Sequence, residues 1–217
     1  MNRSSFLYAP LLFAALLVSP AATAQELKPI DLPKPQMDGG KPLLQVLRER
    51  ATGREFRNEN LPPQVLSNLL WAAWGINRPD SGRRTAPSAS NRQEIEIYVA
   101  AADGLYLYDA KAHRLQPVLS DDIRALTGSQ PFVREAAVNL VYVADYSKMG
   151  KAADPDKAVT AAANSGFIGQ NVYLYCASEG LATVVRGMAN RDPLAKAMKL
   201  RPDQKITFSQ TVGFPKK

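Results

Sequence analysis

The stretch EIEIYVAAADGLYLYD, Glu94 to Asp109, constrains the chain most. Ile95, Ile97 and Val99 alternate with Glu96 and Tyr98, a tight Ala-Asp-Gly turn follows, and Leu105 to Tyr108 alternates again. A period of two with a turn between is a β-hairpin, and its apolar face fixes the register. Such a hairpin demands further strands and a covering layer, because two strands alone bury too little to be stable. The chain supplies both. AAVNLVYVAD is an apolar, β-branched run of buried-strand length, HRLQPV reads as a return strand, and LATVVRG and QKITFSQTVGFP read as further strands. Helical spacing appears in PLLQVLRERA and in NLPPQVLSNLLWAAWGIN, where proline stands at the start as a first turn allows. A long helix is expected from about Asp156 to Glu179, stopped by Gly180, and another over NRDPLAKAMKL. SDDIRALTG predicts a short helix capped by Ser120. The mixed order implies an α+β fold: a mostly antiparallel central sheet flanked by helices. Trp71 and Trp74 belong to packing.

The first residues are a separate matter. Arg3, an apolar run and the small-residue end ATA predict a secretory signal peptide over residues 1–24. The apolar run is too short for a membrane span, so the mature chain is expected in the periplasm or secreted, without stable membrane insertion. Residues 25–42 are a polar, proline-rich arm, and residues 43–217 form one domain. Removing residues 1–24 removes one cation and changes the net charge from +7 to +6. The cations are scattered, and no nucleic-acid-binding pattern accompanies them.

Several chemistries lack their residues. One histidine, His113, and one cysteine, Cys176, cannot make a usual zinc site, and one cysteine makes no disulfide within the chain. A serine hydrolase triad would need His113, which lies on a return strand and reads as structural. Neither glycine-rich nucleotide loop is present.

Three polar segments remain. RATGR, Arg50 to Arg54, places cations around a hydroxyl just past a helix. APSASN, Ala86 to Asn91, offers hydroxyls and an amide before a strand, and VGFPKK ends the chain on Lys216 and Lys217. Arginine and lysine are natural phosphate partners. In this order the segments resemble the FMN-dependent nitroreductase superfamily over nearly the whole mature chain, from Leu43 to Pro215. Arg50, Thr52, Arg54 and Phe56 stand at the spacing of its R-x-[ST]-x-[RK]-x-F element. Pro87, Ser88 and Asn91 match P-S-x-x-N, residues 180–187 match the turn and short strand, and Gly213, Phe214 and Pro215 match G-[YFH]-P.

The resemblance implies FMN as cofactor, with Arg50 on its phosphate, Thr52 on its ribityl chain and Arg54 near its pyrimidine end. It implies that the backbone N–H groups of Arg186 and Gly187 face flavin N5 and O4. It also implies a homodimer in which Pro87, Ser88 and Asn91 serve the other subunit's flavin. RTAPSAS, DGLYLYD and HRL look most like the branch containing the thiazole- and oxazole-forming (azoline) dehydrogenases, where Ala89-Ser90 is commonly Ala-Gly. Three departures stand out. The branch's Lys-Tyr pair is Lys148-Met149 here, and methionine offers no phenol to move a proton. Lys216 and Lys217 are the candidates left for a distal phosphate ligand. Arg186 replaces a common glutamate, which would put a cation beside the flavin's reactive edge. The implied activity is a two-electron, ping-pong oxidoreductase acting on a small organic acceptor such as a quinone or nitro compound. The alternative is a non-enzymatic flavin- or ligand-binding protein on the same scaffold.

Overall fold

The computed structural model describes residues 27–187 and 190–216, so the expected signal peptide and Lys217 lie outside the described residues. In chain order the elements are β1 (Ile30–Asp31), α1 (Leu43–Glu49), α2 (Pro63–Trp74), β2 (Ile76–Arg78), β3 (Arg83–Arg84), β4 (Ile95–Ala101) and β5 (Gly104–Asp109). There follow β6 (Arg114–Leu119), β7 (Val138–Asp145), α3 (Asp154–Glu179), β8 (Ala182–Arg186), α4 (Arg191–Ala197) and β9 (Gln204–Gly213). Seven strands form one sheet in the order β1-β6-β5-β4-β7-β9-β8, and every described pairing is antiparallel.

The central strand explains its own sequence. All eight residues of β7 are buried, because both faces of the sheet are covered. One face carries α2 and α3 over Ile95, Ile97, Val99, Leu140 and Tyr142. The other is closed by α4, with Leu194 and Met198 packing on Tyr98, Val141 and Val143. A strand covered on both sides reads as a continuous apolar run, as AAVNLVYVAD does. The length of α3 follows from Asp154 and Asp156 at its first turn and Gly180 at its end, where φ is 70°.

One reading needs correction. The short helix expected after Ser120 is a 3₁₀ turn over Arg124–Thr127, without a Ser120 cap. The Asp122 carboxylate instead accepts the Arg124 amide and pairs with its guanidinium, competing with a helical start. The N-terminal arm lies on the sheet edge. Ile30 and Asp31 add a two-residue strand to β6, and Asp31 pairs with Arg114. Ser67 donates to the Pro33 carbonyl, and its oxygen lies 2.7 Å from His113 Nε2, while His113 Nδ1 lies 3.0 Å from the Tyr108 hydroxyl. This is the contact of a serine–histidine pair, but Ser67 is fully buried and its proton is committed to Pro33. His113 therefore clasps the arm. Burial holds its pKa below the ordinary value, which keeps the ring neutral.

Candidate functional site

The site lies along the outer edge of β8. The chain leaves α1 at Arg50, whose amide still bonds the Val46 carbonyl, and turns back beside the strand. The Gly53 amide donates to the Thr183 carbonyl at 3.0 Å. The Arg50 guanidinium sits 5.3 Å from the centre of the Tyr173 ring on α3. Thr52 Oγ1 lies 3.1 Å from the Tyr173 hydroxyl, which accepts the Val185 amide at 3.0 Å. Arg54 is exposed and joins no ion pair among the described residues. One tyrosine thus ties the first cation, the hydroxyl residue and the strand edge together.

The edge also has a polarity. Thr183 and Val185 turn their backbone groups outward, to Gly53 and Tyr173, so Ala182, Val184 and Arg186 face β9 in the ladder. By the same alternation the Gly187 amide faces the open edge. The expectation that the Arg186 amide stands at that edge is corrected, because strand pairing turns it toward Ser209. Its side chain is corrected too. The guanidinium does not reach the edge but is buried on the sheet face away from α3, bonded to Thr127 and Asn139.

Phe56 fixes the loop from below. It is fully buried, packs on Phe132 and bridges Pro215, so the G-F-P ending and the R-x-T-x-R-x-F element are neighbours. The Lys216 amide donates to the Glu55 carbonyl, yet its amine pairs with Glu135 at 2.7 Å. Lys216 therefore joins the neighbourhood of Arg54 by its backbone while its charge is engaged elsewhere.

Pro87, Ser88 and Asn91 are not brought to these residues within the chain. Ser88 Oγ accepts the Gln93 amide and donates to Glu94, which is fully buried and accepts from Asn164 of α3. Asn91 Oδ1 accepts from Gln93. Asn164 and Tyr173 are nine residues apart, about 14 Å along a helix. The loop's backbone is unusual: Ser90, Asn91 and Gln93 have φ of 54°, 52° and 50°. That left-handed region costs a side-chain-bearing residue energy unless local bonds hold it. Position 90 is where the resembled branch commonly has glycine, which would take this φ without strain. Sequence reasoning missed Tyr173, because NVYLYC reads only as an apolar helical face. Asp, Glu, His and Cys form no metal-holding group among the described residues.

The comparisons decide the family. Residues 47–214 match the Nitroreductase family. The chain belongs to it. A nitroreductase-type protein of Methanocaldococcus jannaschii is 29% identical over 166 residues, which cover 72% of this chain and 83% of that protein. The crystal structure of a nitroreductase-type protein from Ralstonia eutropha superposes with a TM-score of 0.84 at 42% identity, covering 91% of this chain and 93% of the other. A third structure, from Desulfovibrio desulfuricans, is a complex with FMN. It shares the fold at a TM-score of 0.59 and 22% identity, over 82% and 89% of the two chains. The nitroreductase family placement makes this chain a nitroreductase-type oxidoreductase with the family's α+β fold.

Proposed function

We propose that this nitroreductase-family protein is an exported, FMN-dependent enzyme that passes two electrons from a donor to a quinone, nitro or other organic acceptor. The observation that carries the reading is the convergence of Arg50, Thr52 and the outward amide of Gly187 along one strand edge, organised by Tyr173. That donor set suits FMN: a cation for the phosphate, a hydroxyl for the ribityl chain, and a backbone amide for an acceptor atom of the ring. Arg54 supplies a second cation two residues beyond Thr52. When bound, FMN supplies the electron-carrying ring, and the protein's share is binding, orientation and electrostatics. The FMN complex of the Desulfovibrio relative supports the choice of flavin.

A second subunit would complete what one chain leaves open. Leu43, Leu44 and Leu47 on α1 and Phe167 on α3 are exposed. Their burial against a second copy, by twofold symmetry, would bring Pro87, Ser88 and Asn91 to the partner's flavin. Export rests on residues 1–24, and since reduced nicotinamides are cytoplasmic the donor would be a quinol, a redox partner or the organic substrate itself. The resemblance to the azoline branch does not carry its chemistry here. Met149 is buried and has no proton to give, which also favours the second reading, a flavin carrier without turnover.

Purified residues 25–217 should be yellow, bleach with dithionite, and sediment as a dimer with one FMN per chain. Turnover with a quinone or nitroaromatic acceptor separates the enzyme from the carrier. Colourless protein that gains no thermal stability from added FMN would remove both.

A further inference from the structure

Arg186 is an odd residue to bury. It is only 6% exposed, and its bonds run to neutral acceptors: the Thr127 carbonyl, the Thr127 hydroxyl at 3.3 Å and Asn139 Oδ1 at 2.9 Å. Asn139 is itself held, donating to the Val133 carbonyl and accepting from Thr211. Among the described residues no carboxylate pairs with the guanidinium, and its Nε has no partner. Ser209, opposite Arg186 in the ladder, is fully buried with its hydroxyl unpaired, and Gln130 Oε1 is unpaired as well. Gly128 packs so closely that a Cβ there would overlap Arg186 Nη1, leaving no room for a counter-ion on that side. Burial lowers the guanidinium pKa to about 10, so the group keeps its charge at neutral pH. A buried charge without an opposite charge is costly, and folds usually pair it or avoid it.

The position gives the charge a use. Arg186 is the last residue of β8 and immediately precedes Gly187, whose amide faces the open edge. We propose that Arg186 is an uncompensated cation beneath the strand edge that raises the redox potential of FMN bound there, by favouring the ring's anionic reduced form. This rests on the FMN reading above. Reduction of the ring by two electrons with one proton from solvent adds one negative charge. A fixed cation nearby, in a medium that screens less than water, favours that product over the neutral oxidised ring. The buried acceptors are neutral, so they fix the guanidinium without cancelling its field. On this proposal the cation acts through the sheet rather than by presenting its side chain at the edge.

The test is the midpoint potential of bound FMN at pH 7, read by equilibrium with a reference dye while dithionite supplies electrons and is oxidised to sulfite. Wild-type holoprotein should favour reduced FMN more than free FMN does. Arg186→Gln should lower the ratio of reduced to oxidised flavin roughly tenfold, about 30 mV for a two-electron couple. Arg186→Lys keeps the charge and should stay within about threefold of wild type. Ser209→Asp places a carboxylate across the ladder from Arg186 and should reproduce the loss without removing the guanidinium. A potential unchanged in Arg186→Gln overturns the proposal. If that variant does not fold, Ser209→Asp decides. A wild-type potential at or below that of free FMN overturns it with no variant at all. Failure of the wild-type protein to bind FMN removes the FMN reading instead, and the absorbance spectrum distinguishes the two failures.

Discussion

The seven-stranded sheet has two edges, and the chain treats them in opposite ways. At one edge β6 is covered by the arm, with Ile30 and Asp31 in the ladder, Arg114 on Asp31, and Ser67 and His113 clasping the Pro33 carbonyl. At the other, among the described residues, β8 accepts one bond from Gly53 and donates one to Tyr173, and its end is left open. An exposed edge invites unwanted pairing, so proteins usually cover it or blunt it. The β6 edge is sealed for stability. Among the described residues, the β8 edge is left partly unsatisfied where Arg50 and the Thr52 hydroxyl gather on Tyr173, which is what a ligand site requires. Substitutions at the two edges should separate accordingly: those at β8 should act on flavin affinity, those at β6 on stability.

The largest effect is expected at Arg50. On the proposed FMN reading, Arg50→Ala would remove a charge-assisted phosphate contact worth about 1.5–3 kcal/mol, so FMN should bind roughly ten- to hundredfold more weakly. Riboflavin, which has no phosphate, should bind almost as before. Equal losses for the two ligands in a titration would take Arg50 off the phosphate and blur the distinction between the edges. Tyr173→Phe comes next. It keeps the ring under Arg50 but deletes the hydroxyl that joins Thr52 to the Val185 amide. A loss of about 1 kcal/mol, roughly fivefold in FMN affinity, is expected, for FMN and riboflavin alike, because the ribityl side of the site is loosened.

Which parts of this were legible in the sequence follows from the same contrast. The hairpin, β7, α3 and the closing strand are regular elements whose periodicity reports their own burial, and each was readable. The β2–β3 pair and the arm strand were not, because their pairing is two or three residues long and set by distant contacts: Arg84 on Trp74, Ser67 on Pro33. The site divides likewise. Arg50, Thr52, Arg54 and Gly187 were picked out by the family resemblance, and the structure sets Thr52 and Gly187 at the same strand edge. Tyr173 was missed because an aromatic on an apolar helix face looks like core. Arg186 was found, but its direction was not, because only the ladder register tells which face of the edge strand it lies on.

At the sealed edge the expected changes are smaller and of another kind. Ser67→Ala should cost about 1 kcal/mol of stability, by denaturant melting, and leave FMN affinity unchanged. The clasp should also respond to acid. Burial lowers the His113 pKa below 6.5, so the released state takes up a proton before the docked one does. Its contribution is therefore full above about pH 6.5 and is lost as pH falls through the lowered docked value. The protection of the Ile30, Asp31 and Leu32 amides, taken against their intrinsic exchange at each pH, should fall below pH 6.5, and Tyr108→Phe should alter that profile by removing the Nδ1 partner. Protection that is flat between pH 5 and pH 8 would remove His113 from the clasp.

The smallest effect is expected at Lys216, and it tests whether the β8 edge extends to the chain's end. The Lys216 amide is tied to Glu55, one residue past Arg54, so a lysine there could in principle serve the same phosphate as Arg50. Its amine is instead 2.7 Å from Glu135, with both side chains about half exposed. An exposed pair of this kind is worth only about 0–1 kcal/mol and weakens further with salt. Lys216→Ala should therefore leave FMN affinity within tenfold of wild type, with the difference shrinking as salt is raised. Glu135→Gln sharpens the point. If Glu135 merely holds Lys216 away from the site, freeing the amine should tighten FMN slightly at low salt and leave riboflavin unchanged. A hundredfold loss in Lys216→Ala at every salt concentration would mean that the lysine abandons Glu135 for the phosphate when FMN binds. The open edge would then include the C-terminus.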